Sequence, residues 1–146
     1  MKSARRRSRE LALQGLYQWQ MNRCDCSVLL GQLALQPHFL RADRGFLERL
    51  LHGVLDHHEA LDARLTPFLD RPAAQLSPVE RAILWIGAVE FRDFPETPFR
   101  VILNEAIDLA KGFGGTEGHR YVNGVLDRLA ALERPGERVP VRAPAE

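Results

Sequence analysis

The chain has 146 residues, 45% of them apolar and 27% charged, with a formal net charge of +1, the proportions of one ordinary globular domain able to bury a sizeable core. Its two cysteines, Cys24 and Cys26, stand too close for an ordinary intramolecular bridge and lack a second pair to complete a zinc site, which predicts reduced thiols in a cytoplasmic protein. No apolar run reaches the length of a membrane span, and Glu10, Gln14, Gln18 and Gln20 interrupt any signal-peptide core.

The near-neutral total hides an asymmetry. Residues 1–24 hold six basic groups (Lys2, Arg5, Arg6, Arg7, Arg9 and Arg23) against one acid, Glu10, while the remainder holds fourteen against eighteen. A basic end on an acidic body can hold a polyanion at one pole. An Arg- and Ser-rich start would also suit a transit peptide, but Leu13, Leu16 and Trp19 read as core residues that the fold would miss. The arm runs into a helical stripe of Ala12/Leu13, Leu16/Tyr17 and Trp19. On that helix Arg5 and Arg9 share a face while Arg6 and Arg7 fan to the sides, so several guanidinium groups could follow one phosphate backbone. The same five charges on a free tail would be a solvated terminus; the junction with a core-packed helix favours binding.

A loop near residues 22–27 precedes a short helix near Val28 to Leu35, broken at Pro37. Phe46, Leu47, Leu50, Leu51, Val54 and Leu55 form the next stripe, continued after a bend by Leu61, Leu65, Phe68 and Leu69. His52, His57, His58, Glu59 and Asp62 lie here; without a third ligand at fixed spacing they read as a solvated helix face, and no metal or other cofactor is expected. Ser77-Pro78-Val79-Glu80 is a capping box that launches a helix apolar on nearly every side from Ala82 to Phe94, which belongs in the middle of a bundle. Thr97-Pro98 opens the next helix, with Ile102, Ala106, Leu109, Ala110 and Phe113 inward, and Gly112, Gly114 and Gly115 stop it. Thr116 caps the last helix, whose inward residues are Val122, Val125, Leu126 and Leu129. The acid pairs Glu90/Asp93 and Glu105/Asp108 read as solvent-facing.

The resulting expectation is an all-α bundle of about seven helices over residues 1–133, followed by a flexible Pro-rich tail over 134–146. Nucleophile elbows and phosphate loops are missing, so no enzyme is expected. Arg120, Asn123 and Asp127 line one side of the last helix beside Tyr121, a place where an exposed Tyr and Asn would suit unpaired bases. A core-edge Tyr121 and a helix–helix hydrogen bond from Asn123 are the plainer reading.

Taken together, Arg5-Arg6-Arg7-Ser8-Arg9-Glu10 with Ala12-Leu13-Gln14 and Leu16-Tyr17-Gln18-Trp19-Gln20, the block Asn104 to Gly114, and Tyr121-Val122-Asn123-Gly124-Val125-Leu126-Asp127 resemble the NusB family of bacterial transcription antitermination factors. Ser77 to Leu84 also fits, and the resemblance spans residues 4 to about 130. It implies two helical subdomains, no catalysis, and binding of single-stranded boxA RNA jointly with the small-subunit ribosomal protein that acts as NusE, within an antitermination complex on RNA polymerase. By position it implies an RNA surface of Lys2, Arg5, Arg6, Arg7, Arg9, Tyr17, Glu117, Tyr121 and Asn123, with Glu80 toward the protein partner. Four or five phosphate contacts would give a log–log salt slope of roughly −3 to −3.5. Two other readings compete: a detached substrate-binding domain of an RNA cytosine methyltransferase, which the same helical module fronts, and a module whose arm binds an acidic protein.

Overall fold

The computed structural model describes residues 2–113 and 117–138, and every regular element among them is helical. Helix α1 spans Ala4–Asn22 because Ser3 starts it: the Ser3 hydroxyl accepts the Arg6 N–H at 3.0 Å, satisfying one otherwise orphaned donor. Leu11, Ala12, Leu16 and Trp19 then face the core. Arg23 ends the helix in the left-handed region (φ 27°), its N–H donating to the Trp19 carbonyl and its guanidinium lying 4.1 Å over the Trp19 ring. A glycine or asparagine would more commonly stand there.

Helix α2 covers Cys26–Leu33, starting two residues earlier than expected, and a 3-10 turn at Phe39–Arg41 leads to α3, Arg44–Leu55. The start of α3 is stapled to α1 by buried Ser8. Its hydroxyl donates to the Asp43 carbonyl at 2.7 Å and accepts the Asp43 N–H at 2.9 Å, while the Asp43 carboxylate caps Phe46 N at 3.0 Å. Helix α4, His58–Leu65, runs into a 3-10 turn at Thr66–Phe68, and a further turn at Ala73–Gln75 precedes α5, Pro78–Asp93.

Helix α5 is the axis of the molecule. Residues 82–91 are all buried, as its all-round apolar sequence predicts, and α1, α3 and α4 pack on it together with α6 and α7. Two glycines let neighbours approach: a Cβ on Gly53 would stand 2.9 Å from Val89 Cγ1, and one on Gly87 2.8 Å from Leu126 Cδ1. Ser77 caps α5 as expected, accepting the Glu80 N–H at 3.1 Å. The arrangement is an N-terminal group, α1 to α4, and a C-terminal group built on α5, joined through that shared helix.

Helices α6 (Phe99–Phe113), α7 (Gly118–Glu133) and the single turn α8 (Pro135–Arg138) complete the described chain. Three expectations need correction here. Gly112 lies inside α6 and does not stop it. Phe113, the last residue of α6, is exposed and does not face inward. The tail does not begin at residue 134: Arg134 is buried and donates to the carbonyls of Phe91, Thr97 and Phe94 at 2.9–3.0 Å, closing the end of α5. Arg134 also holds Glu137 at 2.7 Å, and Glu137 accepts the Phe99 N–H at 2.7 Å, so the start of α6 is capped from α8. That hydrogen bond, foremost, holds the Glu137 carboxyl below the usual range. The rest of the proline-rich tail, 139–146, lies outside the described residues, as do Gly114, Gly115 and the proposed cap Thr116.

Candidate nucleic-acid interface

The basic start of the chain is not a free arm but the first two turns of α1, so each arginine has a fixed direction. Arg5 and Arg9 do share a face, and it is the inner one. Arg9 is 4% exposed and grips Glu90 of α5, itself 1% exposed, through Nε (2.8 Å) and Nη2 (2.7 Å). Arg5 lies 4.3 Å over the Phe46 ring and 3.8 Å from Asp43. Arg6 forks Glu105 at 3.0 and 3.2 Å and also pairs with Asp108. The Glu105 hydrogen bond leads the causes that raise the Arg6 pKa above its ordinary value. Glu90 and Glu105 are therefore not solvent-facing acids; they are the counter-charges of the arm.

What remains for solvent is the outer edge. Lys2 pairs with Glu10 at 2.8 Å, its side chain half exposed, and among the described residues the Arg7 guanidinium has one hydrogen-bond partner, Nδ1 of His38, at 3.3 Å. Exposed pairs of the Lys2–Glu10 kind are weak enough to exchange a carboxylate for a phosphate. A depression beside them is lined by Lys2, Arg7, Glu10, Gln14, His38 and Phe113. It passes into a second, more apolar groove formed by Leu13, Gln14, Tyr17, Gln18, Val79 and Phe113. Tyr17 is 43% exposed and Phe113 54%. Cationic side chains at one end and uncovered aromatics at the other are the two elements that single-stranded nucleic acid requires.

The other expected residues form a separate group. Tyr121 is half-buried, and its hydroxyl donates to the Asp70 carboxylate at 3.1 Å and accepts the Asp70 N–H at 3.3 Å. Burial, foremost, pushes the Tyr121 pKa up, while Asp70 is held below its usual value mainly by Arg71. Asn123 is exposed on α7, and Glu117, also exposed, precedes that helix with Arg120 at 3.2 Å. Glu80 sits between the groups: it follows the groove residue Val79 and its carboxylate lies against Gly118.

The histidine segment is also not a uniformly solvated face. His58 packs edge-on to Trp19 (5.1 Å), and Asp62 accepts from Trp85 Nε1 (2.9 Å) and pairs with Arg81. No group of His, Cys, Asp or Glu suited to a metal occurs among the described residues. Sequence reasoning missed Gln14, Gln18, Val79 and Phe113 as site residues. A signal existed in the i, i+4 amides flanking Tyr17, and in an aromatic placed beside glycines that cannot bury it.

The described residues thus define an all-α helical domain with a basic helix edge that opens into an aromatic groove. The model of the NusB family matches residues 6–131. The chain belongs to the NusB family. It is 55% identical over 136 residues to the transcription antitermination protein NusB of Burkholderia lata, covering 93% of this chain and 94% of that one. The NusB of Ralstonia nicotianae is also 55% identical, with 93% and 88% covered. Among solved structures, Thermotoga maritima NusB superposes with a TM-score of 0.81 at 28% identity, covering 94% and 98% of the two chains. A NusB–NusE complex with double-stranded RNA matches in fold, with a TM-score of 0.77 at 20% identity, covering 87% and 96%. No described helix is long and apolar enough to cross a membrane.

Proposed function

We propose that this chain is a non-catalytic transcription antitermination factor. It binds boxA-type single-stranded RNA together with the ribosomal protein acting as NusE, and the pair joins RNA polymerase in the bacterial cytoplasm during ribosomal RNA transcription. The observation that carries the reading is the outer edge of α1, where Lys2 and Arg7 lead directly into the groove of Tyr17 and Phe113. The antitermination role of the 55% identical relatives supports it.

In this reading Lys2 and Arg7 make sequence-blind phosphate contacts, with Arg5 and Arg6 at their margin. Arg9 works from inside by fixing the direction of α1. Tyr17 contacts RNA directly, whereas Glu117, Tyr121 and Asn123 extend the surface along α7. Glu80, at the junction of α5 and α7, faces the protein partner. A gel-shift with boxA-like RNA and its scrambled version, with and without the ribosomal partner, tests the assignment. The expected result is tighter and more selective binding with the partner; no gain in either affinity or selectivity would defeat it.

A further inference from the structure

We propose that the outward face of α2 is a self-association surface: a second copy of this chain lays its own α2 antiparallel across it, each Leu35 seating on the Gly31 of the other copy. The contact is independent of the RNA-binding reading above.

Helix α2 is the exception to the rule that α5 obeys. Both are apolar on nearly every side, and such a helix has to be covered. Helix α5 is covered all round, α2 on one side only. Its inner residues Leu29 and Leu33 are buried against α1, where a Cβ on Gly15 would stand 3.0 Å from Leu33 Cδ1. The outer face repeats Val28, Gly31 and Leu35 at i, i+3 and i+7, one stripe of a helix. Leu35 is held in the closing turn by its N–H, which donates to the Gln32 carbonyl at 3.2 Å. Val28 is 48% exposed and Leu35 84%, and Leu40 in the following 3-10 turn is 93% exposed. Leu35 and Leu40 are the two most exposed large apolar side chains among the described residues.

Charge and shape name the occupant. Residues 26–40 carry no Asp, Glu, Lys or Arg, the longest such run in a chain that is 27% charged. In a two-fold contact a patch faces its own copy, so any net charge on it would meet a like charge. A different protein would be selected by charge complementarity, and this stretch offers none. The fold makes its close helix crossings by seating a branched side chain on a glycine: Leu33 on Gly15, Val89 on Gly53, Leu126 on Gly87. Gly31 stands exposed inside α2, where glycine weakens a helix. A Cβ there would meet nothing within 4 Å among the described residues. Knob and notch, Leu35 and Gly31, lie one turn apart on one face, so two antiparallel copies fill both notches at once. One helix of 8 residues and one further leucine fall short of the roughly 20–30 residues a side of a stable interface. The dimer is therefore weak and forms with rising concentration.

Sedimentation equilibrium of the full chain over a concentration series is the test, with thermal melts and RNA anisotropy on the same samples. The wild type should dimerise reversibly. Leu35→Asp should weaken the dimer roughly tenfold or more, because each substitution counts twice and sets a carboxylate on an apolar seat. Gly31→Gln should do the same by filling the notch, while melting at or above the wild-type temperature because a glycine has left a helix interior. Both positions are exposed, so the variants retain the fold, and when dilute they should bind RNA as the wild type does.

A wild-type chain that stays monomeric at millimolar concentration overturns the proposal, as does a dimer that persists in either variant. A dimer that Phe113→Asp dissolves and Leu35→Asp does not would place the contact in the groove beside α1 and overturns it too. So does a dilute Leu35→Asp chain that has lost RNA or the ribosomal partner, since the face would then belong to that ligand. None of these outcomes touches the RNA-binding reading except the last, whereas a wild type without RNA affinity defeats that reading and leaves the dimer standing.

Discussion

Arg7 and Arg9 are the same residue type on the same helix, two positions apart, and their environments are opposite. At 3.6 residues per turn, two steps rotate a side chain by about 200°, which turns Arg9 into the interface with α5 and Arg7 out toward His38. Burying the Arg9 charge is tolerable because Glu90 accepts from its Nε and Nη2, with Glu105 3.7 Å from its Nη1. Arg7 carries no such obligation, and its charge stays available to a ligand. A cluster of arginines in a sequence is thus a set of charges with different addresses.

The largest effect expected from breaking that contrast is on stability. Arg9→Ala should cost about 3–5 kcal/mol in denaturant unfolding, since it leaves Glu90 as an uncompensated buried charge. Arg9→Met with Glu90→Leu should recover most of the loss, and a single variant as stable as the wild type would show that the pair is unimportant. Arg134→Ala removes a buried guanidinium from the carbonyls ending α5, and about 2–3 kcal/mol should be lost.

Arg7→Ala should leave stability within about 0.5 kcal/mol but weaken RNA binding and make the log–log salt slope shallower by roughly 0.7. The wild-type slope itself sharpens the comparison. With Lys2 and Arg7 making full contacts and the marginal Arg5 and Arg6 together adding at most about one more, it should be roughly −1.4 to −2.1, whereas an arm with four or five free cations would give −2.8 or steeper.

The smallest effect is a pH dependence at the start of α6. Because the Glu137 carboxyl is held below its unfolded value by the Phe99 N–H and Arg134, its contribution is present above about pH 4.3. It is lost as the pH falls through the folded value. Glu137→Gln should remove that part of the acid-side loss; an unchanged acid limb in thermal melts would show that the cap does not matter.

Much of the fold could be read in advance, and particular residues show why. Ser77 and Pro78 announced α5 because capping is local chemistry. The apolar run from Ala82 to Phe91 announced its central place because a helix without a polar side has to be covered. The long-range pairings were not legible. Glu90 looked like one half of an exposed acid pair, although an acid amid Val89, Phe91 and a full apolar circumference was itself a call for a buried partner. Arg134 looked like the first residue of a loose tail because its acceptors are backbone carbonyls around 40 positions away, which carry no sequence mark.

The same division holds for the site. By itself the sequence determined that the chain is helical, that its positive charge is gathered at one end of one helix, and that this end belongs with the NusB family. These follow from periodicity, capping and composition, all of which are local. Only the tertiary structure decided which of those charges face solvent and which aromatics are left uncovered beside them. That selection is made by packing: α5 and α6 supply Glu90, Glu105 and Asp108 to the inner arginines, and α6 ends where Phe113 meets the outer face of α1.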